Sequence, residues 1–320
     1  SVRTIKQTFS KAVSALQTLK PDLLVLIDYP DFNLKLAAEA KKNSIKVLYY
    51  VSPQVWAWRK RRVAKIARLV DRMAVVLPFE EEIYGPSGLA CEFVGHPVYD
   101  EIRSLPVEKD ALKSSLGLEN GRPLLSLLPG SRPHELQRLL PLMLEVVREF
   151  RKEHETYQFC MPFAPNTDME KYATMVRLLE GEGVKINKGE SLKTLAASEL
   201  AVVASGTATL QAALLGVPLV VVYKVFPLTY WLGRLIVRGV KYISLVNILS
   251  GREVVKELFQ KEATVVNIVQ ELKKILSSES HKKNMLDAYD RIRDIYSSRN
   301  ASDRMADMVE EMAGWKKELN

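Results

Sequence analysis

The sequence is poor in cysteine. Its 320 residues include only two, Cys91 and Cys160, with no Cys-x-x-Cys pair, and only four histidines. A disulfide-stabilised scaffold uses many cysteines, and a structural zinc site uses clustered cysteine and histidine. The composition therefore argues against both classes and suits a reducing cytoplasm.

Long hydrophobic runs are also missing. The longest apolar stretch covers residues 212–223 and is interrupted by Gly216 and Pro218. At 12 residues it is too short for a helix that spans a bilayer, which needs about 20. No signal-peptide pattern is visible. We therefore expect a chain that does not cross a membrane, although it can still touch one.

Neither sign of charge dominates the chain. It has 46 basic and 38 acidic residues, a net charge of +8, and 47% hydrophobic residues. Mild basicity suits phosphate-bearing ligands, anionic membrane surfaces or nucleic acid, and an ordinary solvated surface is the plain alternative. Nucleic acid is disfavoured because the basic residues form one local run without a recognised nucleic-acid motif. The length and the apolar fraction predict about two domains.

The first hundred residues alternate between strand and helix patterns. Short apolar runs predict strands at 23–27, 47–51, 73–77 and 93–94, and helical patterns cover 33–42, 59–69 and 80–84. Such β-α-β alternation is typical of a parallel sheet covered by helices.

The same pattern restarts after a charge-rich segment, residues 100–122, that we predict to be a linker. Further strands are expected at 124–128, 158–162, 184–186, 200–204 and 219–223. This gives two Rossmann-like, doubly wound α/β domains, residues 1–104 and 105–296. A C-terminal helix at 297–320 either returns to the first domain or forms a homodimer contact. In doubly wound sheets, ligands bind beyond the carboxyl ends of the strands.

Two turns in the second half combine small residues with the start of a helix. The first contains Gly130, Ser131 and Arg132, and the second contains Ser205, Gly206, Thr207 and Thr209. Free N–H groups at a helix N-terminus bind anions, and an arginine can clamp a diphosphate with its planar fork. Together the two turns predict a phosphate site, whereas each alone could be a plain strand-to-helix turn.

An acidic segment follows the first predicted strand. Asp28 is expected at the carboxyl end of that strand, with Pro30 keeping the next residues out of a helix and Asp31 capping the helix that follows. A carboxylate in this position can accept a proton as a general base. A turn or capping role for Asp28 is the alternative.

An aromatic segment follows the second predicted strand. Gln54, Trp56 and Trp58 crowd its exit, a composition that is poor for an ordinary loop and suits a binding site. With Asn33, these residues are candidates for an acceptor pocket. Simple packing of the tryptophans is the alternative.

Two basic segments are candidates for contact with a membrane surface. Residues 59–72 contain seven cations, and residues 227–238 combine aromatics with arginines in an amphipathic pattern. Basic and aromatic residues on one helix suit the interface of an anionic membrane. A solvated helix with one packed face is the alternative.

Several of these runs occur together in one enzyme family. The segments Ile27 to Asn33, Tyr49 to Arg59 and Leu128 to Arg132 resemble lipid-A-disaccharide synthase, a nucleotide-sugar glycosyltransferase of the two-domain GT-B type. The resemblance extends from about Lys20 to about Gln260. It implies that two Rossmann-like domains face a cleft and that Asp28 is the base. No DxD-like metal motif is evident, so neither a metal nor a cofactor is expected.

The resemblance also implies further donor-site residues. Family members usually have Glu where Gln211 stands, and this residue is expected to bind the ribose hydroxyls of UDP. Glutamine can still hydrogen-bond to a diol. The segment from Ser244 to Glu257 matches the donor-binding segment of the family, in which Asn247, helped by Glu257, would hydrogen-bond to the nucleotide sugar.

The implied reaction is an inverting transfer of 2,3-diacylglucosamine from UDP-2,3-diacylglucosamine to 2,3-diacylglucosamine 1-phosphate (lipid X). It yields lipid A disaccharide 1-phosphate and UDP, on the cytoplasmic face of a Gram-negative inner membrane. Another GT-B transferase with a UDP-N-acetylglucosamine-type donor, or a non-catalytic membrane-surface binding protein, is the alternative. The family pattern opens with a strand and a glycine-rich turn, about 70 residues that do not precede Ser1 here. We therefore expect an incomplete first domain, and such a fragment could be inactive.

Overall fold

The structure, a computed structural model, describes residues 2–55, 62–106, 108–224 and 241–315. Its described helices are α1 (Val2–Leu19), α2 (Pro30–Lys42), α3 (Val63–Leu69), α4 (Glu80–Tyr84), α5 (Pro97–Arg103), α6 (Lys109–Ser115), α7 (Pro133–Arg151), α8 (Ala173–Gly181), α9 (Ser191–Ala196), α10 (Thr207–Leu214), α11 (Leu245–Ser250), α12 (Val265–Ser277), α13 (Glu279–Ser297) and α14 (Ala301–Ala313). Its described strands are β1 (Leu23–Ile27), β2 (Lys46–Tyr50), β3 (Arg72–Val75), β4 (Ala90–Phe93), β5 (Leu124–Leu128), β6 (Gln158–Phe163), β7 (Val184–Lys188), β8 (Leu200–Ala204), β9 (Leu219–Tyr223) and β10 (Glu257–Phe259). The chain divides into two compact units: described residues up to 100 and from 295 onward form the first, and those between 101 and 294 form the second.

The first unit is built on a four-stranded parallel sheet in the order β1-β2-β3-β4. The register aligns Leu23 with Lys46 at the start of the β1–β2 ladder. Because the strands all run in one direction, their carboxyl ends lie on one edge, where the chain leaves β1 at Asp28 and β2 at Val51. The strands predicted in this half are confirmed, although the last begins earlier, at Ala90.

Helix α2 begins earlier than predicted. It starts at Pro30, and the residue before it, Tyr29, is in the left-handed region with φ 41°. Proline has a φ that suits the first helical position and lacks only an N–H that would be unpaired there, so Pro30 starts the helix. The prediction that Asp31 caps it is wrong: Asp31 lies in the first turn, 3.3 Å from Arg62 Nη1.

The last helix, α14, packs on the sheet of the first unit. Ala301, Met305 and Met308 recur at helical spacing and are buried in one cluster with Leu48 of β2 and Ala74 of β3. Residues three and four apart share one face of a helix. The apolar face of this C-terminal helix, for which a homodimer contact was the alternative, therefore packs within the chain.

An ion-pair cluster fastens α14 to this sheet. The carboxylate of Glu92 on β4 accepts hydrogen bonds from Arg304 Nη2 at 2.8 Å and from Arg72 Nη2 at 2.7 Å. Glu311, further along α14, pairs with the same two arginines. The hydrogen bonds from Arg304 and Arg72 favour the charged carboxylates, so the pKa of Glu92 is lowered and that of Glu311 falls to about 2.

The second unit contains a six-stranded parallel sheet in the order β10-β9-β8-β5-β6-β7. From β5 the chain moves outward through β6 and β7, and then returns to β8, β9 and β10 on the other side. The order thus reverses between β5 and β8, and ligands of α/β sheets bind beyond the strand ends at such a switch point. The predicted α/β class and the predicted strands of this half are confirmed. Strand β10, with three residues, is too short to produce a strand signal.

The segment 100–122 is not a linker. It contains the end of α5 and all of α6. Leu112 and Leu116 are buried with Leu124 and Ala197 in a core cluster of the second unit. The prediction from charge content is wrong because a charge-rich helix can still present one apolar face to a core.

We expect Glu92→Gln to destabilise the first unit by about 1–2 kcal/mol, because two partly buried arginines lose a charged acceptor. The lowered pKa means that the folded state keeps the carboxylate charged. The stabilisation is therefore present above the ordinary value of 4.5 and is lost as the pH falls through the lowered value.

Urea unfolding at pH 7 and at pH 3 measures this effect, which should shrink at the lower pH. Glu145→Gln is the matched control, because the pair between Glu145 and Arg148 is exposed. Equal destabilisation by the two substitutions at pH 7 would contradict the assigned role of the cluster.

Candidate active site

A cavity of about 310 Å³ lies at the switch point of the second unit. Its wall is formed by the turns after β5 and β8 and by the first residues of the helices that follow. The predicted donor residues in this wall are Gly130, Ser131, Arg132, Ser205, Gly206, Thr207 and Gln211. Two polar residues not predicted from the sequence, Glu135 and Ser191, also line it. The fold thus brings the two predicted phosphate turns together.

The turn after β5 is closed by a buried carboxylate. Glu135, in the first turn of α7, accepts hydrogen bonds from the backbone N–H groups of Ser131 and Arg132, both at 3.1 Å. Gly130 has φ 90°, and a Cβ atom at this position would overlap with Glu135 Oε2. The backbone donors predicted to hold an anion at this turn are therefore already taken by a carboxylate of the protein, as in a helix capping box.

The side chain of Arg132 remains available at this turn. It is 69% exposed, lies in the cavity wall, and is 3.6 Å from Glu135 Oε1. Because the guanidinium is solvent-exposed and not within hydrogen-bond distance of Glu135, this ion pair contributes little stability, so the guanidinium can turn toward a bound anion. In the part of the chain that the structure describes, His, Cys, Asp and Glu side chains form no group that could hold a metal ion.

The turn after β8 faces the cavity with small residues. Ser205, Gly206 and Thr207 line the wall, and Gly206 has φ 151°, a conformation that favours glycine. Thr209 differs from them: it is fully buried, and its hydroxyl donates to the Gly206 carbonyl at 2.8 Å. Thr209 therefore holds the turn in shape and does not face the cavity, contrary to its prediction as a ligand contact.

Asn247 and Glu257 form a buried network and do not line this cavity. The Asn247 amide donates to the Val255 carbonyl and to Glu257 Oε1, both at 2.9 Å, and its oxygen accepts from two backbone N–H groups. Glu257 also accepts from Ser244 Oγ at 2.6 Å. All the hydrogen-bonding capacity of the Asn247 amide is used within the protein. Asn247 therefore holds the segment from Val254 to Glu257 in place and has no hydrogen-bonding group left for a ligand.

In the first unit, the chain leaves β1 through two residues in the left-handed region. Asp28 has φ 47° and Tyr29 has φ 41°, a conformation that costs a non-glycine residue roughly 1–3 kcal/mol. The Asp28 side chain is exposed. Asn33, predicted for the acceptor pocket, is instead buried, with its amide donating to the carbonyls of Ile27 and Asp28.

The turn after β2 is held by a second buried carboxylate. Ser52 Oγ donates to Glu80 Oε1 at 2.6 Å, and both residues are buried. Gln54 follows and is exposed. The other two acceptor candidates, Trp56 and Trp58, lie outside the described residues.

The turn after β4 carries a buried histidine. The N–H of Val98 donates to His96 Nδ1 at 3.1 Å. Burial, opposed only in part by the charge of Asp100, lowers the pKa of His96 to about 4. The ring is therefore neutral at pH 7, with its proton on Nε2. A neutral N–H donor thus lies at the same edge of the sheet as Asp28.

Comparison with known sequences decides the family. The family model for lipid-A-disaccharide synthetase matches residues 1–311. The chain is 43% identical over 308 residues to lipid-A-disaccharide synthase from Syntrophus aciditrophicus, a match that covers 96% of this chain and 80% of that protein. It is 42% identical over 310 residues to the enzyme from Myxococcus xanthus, with the same coverage. The chain belongs to the lipid-A-disaccharide synthase family.

Membership of the lipid-A-disaccharide synthase family confirms the resemblance inferred from the motifs. The family activity is a glycosyl transfer in lipid A biosynthesis, with UDP-2,3-diacylglucosamine as donor and 2,3-diacylglucosamine 1-phosphate as acceptor. The alternative of a different UDP-sugar transferase family is set aside by this match over nearly the whole chain.

Solved structures show the same architecture at low sequence identity. The S. aureus MnaA–UDP co-structure has a TM-score of 0.67 at 11% identity and covers 100% of this chain and 83% of its own. A UDP-GlcNAc 2-epimerase from Neisseria meningitidis has a TM-score of 0.63 at 12% identity and covers 92% and 81%. A glycosyltransferase from Rickettsia africae has a TM-score of 0.55 at 10% identity and covers 99% and 83%. At these identities the likeness shows the fold, which agrees with the predicted GT-B class.

Proposed function

We propose that Asp28 is the general base of the transfer and that the cavity at β5 and β8 binds UDP. The observation that carries the first assignment is an exposed carboxylate at the carboxyl end of a parallel strand, in a backbone conformation maintained at a cost. The acceptor hydroxyl gives its proton to Asp28 as its oxygen bonds to the anomeric carbon of the donor. The bond from that carbon to the diphosphate breaks, and UDP leaves from the opposite face with inversion.

The donor site follows from the groups that converge on the cavity. Arg132 neutralises the leaving diphosphate. The hydroxyls of Ser205 and Thr207, with the amino end of α10, offer hydrogen bonds to phosphate oxygens. Gln211 lies about one turn further along the same helix and takes the ribose hydroxyls. The convergence of these groups on one concave site supports the assignment.

For the acceptor, we propose the carboxyl edge of the sheet in the first unit. The exposed amide of Gln54 suits a sugar hydroxyl, and the indoles of Trp56 and Trp58 suit acyl chains. Asn33 no longer belongs to this set, because its amide is engaged with the backbone of the Asp28 turn.

Replacing the base tests the catalytic assignment. Asp28→Asn keeps the size of the side chain but cannot accept a proton, so we expect kcat to fall by about 10²–10⁴-fold while UDP affinity stays the same. Asp31→Asn removes an exposed carboxylate three residues further on and should retain activity. A loss of less than about tenfold in Asp28→Asn would exclude the general-base role.

Removing the diphosphate clamp tests the donor site. Arg132→Ala should weaken UDP binding by about tenfold or more, since a charged, planar donor to phosphate is lost. Isothermal titration calorimetry measures the change. Arg177→Ala is the control, because Arg177 is an exposed arginine of the second unit outside the cavity wall. If both variants bind UDP like the parent chain, the diphosphate does not contact Arg132.

We also propose that the protein works on the cytoplasmic surface of the inner membrane, where it contacts anionic headgroups. Helix α1 contains no acidic residue and carries Arg3, Lys6 and Lys11. Its apolar Ile5 and Leu19 are 47% and 75% exposed. A cationic, amphipathic helix suits a membrane interface. None of the described helices is long and apolar enough to cross a bilayer.

The basic run at 59–72 gives mixed support to this proposal. Lys65 and Arg68 on α3 are exposed and suit anionic lipid. Arg72 is instead committed to the ion-pair cluster with Glu92 and Glu311. Residues 59–61 and the aromatic and basic segment 227–238 lie outside the described residues.

Charge removal on α1 tests the membrane contact. Lys6→Ser combined with Lys11→Ser should weaken binding to vesicles that contain anionic lipid by about 10- to 30-fold, because each lysine near a charged membrane contributes about 1 kcal/mol. Cosedimentation with such vesicles measures the change. Lys261→Ser with Lys283→Ser removes two exposed cations from the second unit as a control. If the two double variants bind these vesicles equally well, α1 is an ordinary solvated helix that does not contact the membrane.

A further inference from the structure

The turn that carries Asp28 depends on hydrogen bonds from two separate elements. Tyr49, in β2, donates from its hydroxyl to the Asp28 carbonyl at 2.5 Å. Asn33, in the first half of α2, donates from Nδ2 to the same carbonyl at 2.7 Å and to the Ile27 carbonyl at 2.9 Å. The regular ladder ends just before, where the Asp28 N–H donates to the Tyr50 carbonyl at 3.0 Å.

These hydrogen bonds hold a backbone conformation that non-glycine residues disfavour. Asp28 and Tyr29 are consecutive non-glycine residues with positive φ, and such residues rarely visit this region one after another. A conformation of this kind persists only when its surroundings over-determine it. One donor from the neighbouring strand and one from the following helix fix the peptide plane after Asp28, and with it the direction of the Asp28 Cα–Cβ bond.

The Tyr49 hydroxyl can act on the reaction only through this turn. Tyr49 is fully buried, so it does not reach solvent or substrate. Burial, with the nearby Asp28 carboxylate, raises its pKa well above the usual range. The hydroxyl is therefore protonated, and available as a donor, at neutral pH.

We propose that Tyr49 and Asn33 are positioning residues that aim the Asp28 carboxylate at the acceptor hydroxyl. This inference rests on the proposed role of Asp28 as the base. Without the Tyr49 hydroxyl, the turn relaxes toward commoner backbone conformations and the carboxylate leaves its orientation. Small displacements of a reacting group can lower a rate by large factors.

Tyr49→Phe tests the proposal, because it removes one oxygen and keeps the buried ring. We expect kcat to fall about tenfold, which corresponds to about 1.4 kcal/mol. KM for both substrates should stay within about twofold, since neither binding site loses a contact. Tyr296→Phe is the matched control: Tyr296 is also fully buried in the first unit, and its hydroxyl donates to the Val76 carbonyl at 3.3 Å. This control should keep the parent kcat.

A double-mutant cycle separates positioning from general structural loss. Tyr49→Phe is combined with Asp28→Asn, and kcat is measured for all four proteins. If Tyr49 acts through the carboxylate, its loss lowers kcat about tenfold in the parent chain and less than about twofold in Asp28→Asn. Equal factors in the two backgrounds, or no effect in the parent chain, would overturn the proposal.

The same cycle distinguishes failure of the general-base role of Asp28 from failure of the positioning role of Tyr49. A fully active Asp28→Asn protein would overturn the base, and the positioning role with it. If Asp28→Asn is strongly impaired, but Tyr49→Phe lowers kcat by the same factor in the parent chain and in Asp28→Asn, only the positioning role is overturned. Urea unfolding and UDP calorimetry check that each variant is folded. If Tyr49→Phe does not fold, Asn33→Ala takes its place in the cycle, and equal factors there would count against the proposal in the same way.

Discussion

Parallel strand pairing is the constraint on which both units depend. Within each sheet, it brings the carboxyl ends of the strands to one edge of that sheet, so that turns distant in sequence become neighbours. At that edge the ladder stops, and the backbone groups of each turn need other partners. Buried polar side chains supply them: Glu135 after β5, Tyr49 and Asn33 after β1, and Glu80, which accepts from the Leu77 N–H, after β3.

The polar residues near these edges therefore divide into two groups. Asn247 and Thr209 hold the backbone, and their hydrogen-bonding groups are used within the protein. Arg132, Gln211 and Asp28 are left with side chains that can meet a ligand. Residue type alone does not separate the groups, because amides, hydroxyls and carboxylates serve either purpose. What separates them is burial and the identity of their hydrogen-bond partners.

The sequence predicted the fold wherever an apolar run marks a buried parallel strand, and it predicted that the turns after β5 and β8 come together, where they line one cavity. It misassigned the segment 100–122, whose charges conceal one apolar face. Glu135 had a local signal, since Pro133 at the first helical position and Glu two residues later are typical of a capping box. The contact between Tyr49 and Asp28 had none, because the two residues are 21 positions apart on neighbouring strands. Such a pair becomes visible only with the register of the sheet.

In the proposed donor site, the Arg132 guanidinium and the turn after β8, rather than the capped backbone N–H groups of Ser131 and Arg132, bind the diphosphate of the donor. Calorimetric titration of the chain with UDP and with UMP in parallel tests this most directly. We predict that UDP binds at least about tenfold more tightly than UMP, since the second phosphate gains contacts with the Arg132 guanidinium and the turn after β8. Equal affinities for the two nucleotides, or no binding of either, would contradict the claim.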